Sequence, residues 1–343
     1  MSLGIEQSRP FGADDLYRTQ TISLAPETAK YGYATRNALR PRLGITPEKK
    51  EAITDNAPIV FVPGWSIETM ASEGVLLELF NRTGREISSP QFPRWTGGKV
   101  ESENNFSGEV VRRARLLNHI INNDLKDSDE IDFVTQSEGA MILSAAAILD
   151  PNTMEKTRNI VGVSLAGFSM DDNLPSLIGR FGLHALQDVI SSISDPNIRA
   201  GMMKTMLGSG LYIGKNPLWA LSEAKGIADG RYYQYLRILH DKGVKIGIIQ
   251  PVDDKLMPSK KLWGSIAHEY AGHQPFVEVG IDDEGNRIQE HVPYVHPPFD
   301  MLTLVGKGHD NWVYANPELF VDRTLRQLNR LQSMRDENAN SKS

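Results

Sequence analysis

Three residue types able to work together stand at similar places in the chain. Ser137 follows the apolar run Ile131-Asp132-Phe133-Val134-Thr135, in the segment Gln136-Ser137-Glu138-Gly139-Ala140, and an alanine-rich stretch comes next. A serine on a tight strand-to-helix turn with glycine two residues later has the form of a nucleophile elbow. The demand is steric, because the strained turn needs small residues two before and two after the serine. Gly139 meets the second requirement, while Thr135 occupies the first position in place of glycine. Asp253 and Asp254 lie just past the run Val244–Gln250, and His309 lies just past Met301–Val305. A serine hydroxyl is a poor nucleophile at neutral pH and needs a base to take its proton. His309 can be that base. An aspartate can hold the imidazole's tautomer and stabilise its charged form.

These residues need a scaffold, and the chain pattern supplies one. Short apolar runs at Pro58–Gly64, Ile131–Thr135, Asn159–Ser164, Val244–Gln250 and Met301–Val305 read as buried strands, with a weaker one at Glu86–Ser89. Helical periodicity fills Ser107–Asn122, Glu138–Leu149 and Pro317–Gln332, the last opening on a proline at its first turn. Arg18–Leu24 and Lys30–Arg36 flank Ala25-Pro26-Glu27-Thr28 as an antiparallel hairpin. Strands alternating with helices give an α/β fold: a mostly parallel sheet of about eight strands with helices on both faces. Functional groups of such sheets gather at the strands' carboxyl ends, where Ser137, the aspartates and His309 all fall.

Length alone, at roughly 150 residues per domain, suggests two domains in 343 residues. The pattern replaces that with one core, residues 1–166 and 244–335, interrupted by a helical insertion at 167–243. A smaller hairpin insertion is expected at about 276–295, and a flexible tail at 336–343. The helical insertion carries apolar residues at helical spacing, among them Leu174, Leu177, Ile178 and Phe181. Candidate substrate contacts are Gln136, beside the serine, and Met203, Met206 and Tyr232 from the insertion.

Composition narrows the function. Lys and Arg number 37 against 43 Asp and Glu, a net charge of −6, which argues against a nucleic-acid binder. The absence of cysteine removes disulfides, thiolate metal sites and a cysteine nucleophile. The spacing of His268, His273, His291 and His296 fits no standard metal site. No run approaches the roughly 18 apolar residues of a membrane span. The opening residues lack a basic region followed by an apolar run, so no signal peptide is visible. That points to the cytoplasm, with export after removal of a signal left open. Oligomeric state is not fixed by the sequence.

With these residues in view, the sequence resembles the α/β-hydrolase fold superfamily from about Leu16 to Gln332. The chain order Ser, Asp, His is the order of that superfamily's triad. Val60-Phe61-Val62-Pro63-Gly64-Trp65 resembles its oxyanion loop, with proline in place of histidine, and Pro90–Gly98 resembles its loop after the fourth strand. The insertion at 167–243 resembles its cap. The resemblance implies Asp254 as the acid, through the Asp254-to-Pro258 spacing, with Asp253 as second choice. It also implies backbone N–H groups of Trp65 and Glu138 as oxyanion donors. A carboxylate beside a forming oxyanion would oppose it, so the Glu138 side chain is expected to point away or pair with a cation. The implied activity is a serine esterase of lipase-like type acting on an apolar acyl substrate, lipids and thioesters included, without cofactor or metal. An acyltransferase or carbon–carbon bond hydrolase on the same triad is the alternative, and a non-catalytic small-molecule binder a further one. Relatives that dehalogenate haloalkanes use aspartate where this chain has Ser137.

Overall fold

The computed structural model describes residues 17–18, 30–34, 57–64, 72–92, 106–167, 173–183, 214, 217–228, 232–258, 276–278, 299–306, 313 and 316–340. In chain order the elements are β1 (Tyr17–Arg18), β2 (Lys30–Ala34), β3 (Ile59–Val62), α1 (Glu73–Thr83), β4 (Ile87–Gln91) and α2 (Gly108–Asn123). Then come β5 (Ile131–Gln136), α3 (Gly139–Leu149), α4 (Pro151–Lys156) and β6 (Thr157–Val163). A helix over 174–183, α5, precedes α6 (Pro217–Ala228) and α7 (Tyr233–Asp241). The chain finishes with β7 (Lys245–Pro251), β8 (Phe276–Glu278), β9 (Met301–Val305) and α8 (Pro317–Asn340).

The strands form one sheet in the order β1-β2-β4-β3-β5-β6-β7-β9-β8. Strand β2 runs antiparallel to β1 and β4, and every other pairing is parallel. The sheet therefore has the expected class and one more strand than the eight anticipated. The extra strand is β8, three residues at the edge beyond β9, drawn from the segment expected to be a hairpin insertion. Residues 279–295, the rest of the expected hairpin, lie outside the described residues.

Successive strand residues point to opposite faces, and here both faces are apolar. Val60, Val62, Phe133, Ile246, Ile248, Leu302 and Leu304 join α2, α3 and α7 on one side. Ile59, Phe61, Val134, Val161, Ile249 and Met301 join α1 and α8 on the other. Local signals fix the helix starts. Ser107 has extended backbone and its hydroxyl accepts from the Val110 amide, capping α2. Asp150 caps α4 ahead of Pro151. Gly84, at φ 59°, ends α1 in the left-handed conformation that glycine adopts without strain.

Helix α8 extends beyond the expected Gln332 to Asn340, so the polar end expected from residue 336 is helical through residue 340. Met334 still packs against the apolar face, and Arg335 pairs with Glu130 at 2.6 Å. Between β6 and β7 the described residues include helices and no strand, while 168–172, 184–213, 215–216 and 229–231 lie outside the described residues.

Candidate active site

The parallel strands end along one edge of the sheet, and the turn after β5 is its most constrained point. Ser137 has φ 50°, a left-handed conformation that costs a non-glycine residue about 1–2 kcal/mol. Two hydrogen bonds hold it there: its N–H donates to the Val163 carbonyl at 2.9 Å, and its carbonyl accepts from Ala166 at 3.3 Å. The turn thus leans on the end of β6, where Ser164 is also left-handed at φ 49°. Gly139 is required because a Cβ there would fall 2.9 Å from the Pro63 carbonyl oxygen and closer still to that of Val62. This close approach brings the end of β3 against the start of α3. Thr135 pairs with Val62 and with Gly162, where a Cβ would fall 2.6 Å from the Leu165 side chain. Its hydroxyl is buried and, among the described residues, has no hydrogen-bond partner.

Ser137 is 6% exposed and opens onto a cavity of about 290 Å³. Its other walls are apolar: Leu177, Ile178 and Phe181 from α5, Ala220, Leu221, Ala224 and Ile227 from α6, and Leu256 and Met257 after β7. The turn that carries Leu256 and Met257 is organised by Asp254. This side chain is 2% exposed, and its Oδ1 accepts from the amides of Leu256 at 2.9 Å and Met257 at 2.7 Å. Asp253 is exposed. Of the two aspartates left open by position, Asp254 is the buried one.

Behind the serine lies a buried charge cluster. Glu138, 1% exposed, pairs through Oε2 with Nη1 of Arg113 at 2.5 Å. The carboxylate next to the serine is therefore neutralised by a cation, as expected. The Nη2 of the same guanidinium pairs with Glu223 on α6. One residue back on α2, Arg112 pairs with Glu109. Burial, opposed by Arg113 and reinforced by Glu223 and Glu109, raises the Glu138 carboxyl to about 7. Burial likewise raises Glu109 against the pull of Arg112 and Arg113. It raises the Tyr232 hydroxyl too, with the charge of Glu138 adding to the effect.

The remaining expected site residues divide into two sets. Trp65, Met203, Met206 and His309 lie outside the described residues, as do His268, His273, His291 and His296. Strand β9 ends at Val305 paired with Pro251, so the chain toward His309 leaves the sheet at the same edge as Asp254. Gln136 and Tyr232 are described, and neither borders the cavity around Ser137. Gln136 is fully buried at the end of β5. Tyr232 packs with Phe106 and Tyr235, at ring-centroid distances of 5.6 and 5.8 Å, and its amide donates to Gly167. Both features favour core packing over substrate contact. Sequence reasoning missed Arg113 and Glu223. The available signal was the charged pair Arg112-Arg113 inside a helix otherwise buried nearly all round.

Strand order, the single reversed strand β2 and the strained serine after β5 define the α/β-hydrolase fold, and the chain has it. Solved structures agree. A thermophilic esterase from Thermogutta terrifontis superposes with a TM-score of 0.57 over 92% of this chain and 98% of its own, at 11% identity. A membrane phospholipase A, a bacterial virulence factor, gives 0.55 over 93% and 87%, at 9% identity. A bromoperoxidase from Bacillus anthracis gives 0.53 over 91% and 99%, at 11% identity. No protein-family model matches the sequence, and no curated protein matches it. Neighbours with such different activities establish the fold and leave the reaction to the site.

Proposed function

We propose that this protein is a serine hydrolase that cleaves carboxylic esters bearing an apolar acyl group. The observation that carries the reading is Ser137, held at φ 50° on the strand-to-helix turn and opening onto an otherwise apolar cavity. In this reading Ser137 Oγ attacks the ester carbonyl carbon while His309 takes its proton. The carbonyl oxygen becomes an oxyanion, received by the backbone N–H groups of Trp65 and Glu138. Collapse of this intermediate breaks the bond to the alcohol oxygen, which leaves with the proton from His309. Water, deprotonated by His309, then attacks the acyl carbon; the bond to Ser137 Oγ breaks, His309 returns the proton to Oγ, and the acid is released. Asp254 orients His309 and balances its charge. The amide of Glu138 suits its role because the first N–H groups of a helix have no partner within it.

The helices of 167–243 act as a cap that shapes the acyl side of the site. At about 290 Å³ the cavity sits near the lower end of the roughly 300–1,000 Å³ common for ligand pockets, which favours a short or medium acyl group over a whole diacyl lipid. Turnover of p-nitrophenyl esters of increasing acyl length tests the reading. The wild type is expected to hydrolyse them with a maximum at intermediate length, and Ser137→Ala to hydrolyse none. Equal turnover by Ser137→Ala, or no turnover of any ester by the wild type, overturns it.

A further inference from the structure

The charge cluster behind the serine joins two parts of the site that no other described ion pair links. Glu138 follows Ser137 directly, and its amide is the proposed oxyanion donor. Glu223 lies on α6 among Ala220, Leu221, Ala224 and Ile227, which line the cavity. Arg113, buried on α2, reaches Glu138 with one terminal nitrogen and Glu223 with the other. The planar fork of a guanidinium can hold two carboxylates in a fixed relation, and an ammonium cannot. We infer that Arg113 is a positioning residue that couples the cavity wall on α6 to the oxyanion donor at residue 138.

The inference rests on the esterase reading and adds a link to it. Stability alone is a poor explanation for the cluster. Buried ion pairs are often no more stabilising than packed apolar residues of similar volume, because each charge loses its hydration. Here several charges are buried together, Glu109, Glu138 and Glu223 with Arg112 and Arg113, and each has lost its hydration. Coupling explains the geometry better. An acyl chain that seats against Leu221 and Ala224 presses on α6, and Glu223 and Arg113 relay that position to the Ser137–Glu138 peptide. The carboxylate of Glu138 is at the same time kept out of the oxyanion site.

The two arms can be cut separately by mild changes that remove a charge and keep the shape. Glu138→Gln is expected to lower kcat by about 10²-fold for the acetyl ester, as for a misplaced oxyanion donor, and by more for the octanoyl ester, because it also cuts the relay. Glu223→Gln is expected to raise KM for the octanoyl ester by about tenfold, well beyond its effect on the acetyl ester. The double variant should lose no more than Arg113→Met, because both act through one bridge. Arg113→Lys should fail to restore the octanoyl preference. Urea unfolding of each variant separates these effects from loss of folded protein, and the two glutamine variants keep the test open if Arg113→Met does not fold. Losses that are equal for both esters in every variant, or that multiply in the double variant, overturn the coupling while the esterase reading stands. A wild type inactive on both esters overturns the two together.

Discussion

Replacing Gly139 by alanine tests the construction of the serine turn with a single methyl group. Helix propensity favours the change, since alanine exceeds glycine by up to about 1 kcal/mol in a helix. Sterics oppose it. The new Cβ would stand 2.9 Å from the Pro63 oxygen and closer to that of Val62, and both acceptors are backbone that cannot rotate away. Strand β3 is fixed between β4 and β5, so α3 has to shift instead. Overpacking of this kind costs about 1–3 kcal/mol, which after the propensity gain leaves a net loss of up to about 2 kcal/mol. The shift also displaces Ser137 and Glu138, and a misplacement of about 1 Å costs on the order of 10²-fold in rate. Urea unfolding and ester turnover measure the two effects side by side. Gly84→Ala is the control: at φ 59° it is expected to lose about 1 kcal/mol far from the site and keep its turnover. Wild-type stability and turnover in Gly139→Ala would refute the steric argument. Equal loss of turnover in both variants would refute its link to catalysis.

Asp254→Asn should lower ester turnover by about 10⁴-fold, as for loss of a triad carboxylate, whereas the exposed Asp253→Asn should leave it near wild type; the reverse ranking would exchange the two assignments. Thr135→Val removes a buried hydroxyl that has no partner among the described residues, and should raise stability by about 1 kcal/mol in urea unfolding. Destabilisation by that amount would mean that the hydroxyl is satisfied. Burial alone would raise the Asp300 carboxyl, but hydrogen bonds from His240, Lys245 and the Ile246 amide outweigh it and hold the group below its ordinary 3.8. Its stabilisation is therefore present above pH 3.8 and fades as pH falls through the lower folded value. Urea midpoints of the wild type and Asp300→Asn should differ at about pH 5 and converge as pH falls below about 4. A gap that widens toward acid pH contradicts that sign.

The sheet was legible because its strands are buried on both faces and so read as apolar runs. Met301–Val305 matches β9 residue for residue, and Ile131–Thr135 falls one residue short of β5. The turn at Ser137 was legible for a steric reason that survives in one letter, Gly139. Less local features were not. Helix α8 continues past Gln332 because Arg335 meets Glu130, 205 residues earlier in the chain. The two arms of Arg113 span 25 and 110 residues, and on a helix surface Arg112-Arg113 reads as solvated charge. Phe276–Glu278 falls in the segment expected as a separate hairpin, and its pairing with β9 at the sheet edge is a long-range contact that the local pattern does not carry.

The account turns on Ser137 as a nucleophile, and a fluorophosphonate reports that most directly because it forms a covalent adduct with an activated serine. Labelling followed by peptide mapping should place one adduct, on Ser137, with none in Ser137→Ala. An unlabelled wild type, or an adduct on another residue that persists in Ser137→Ala, would contradict it.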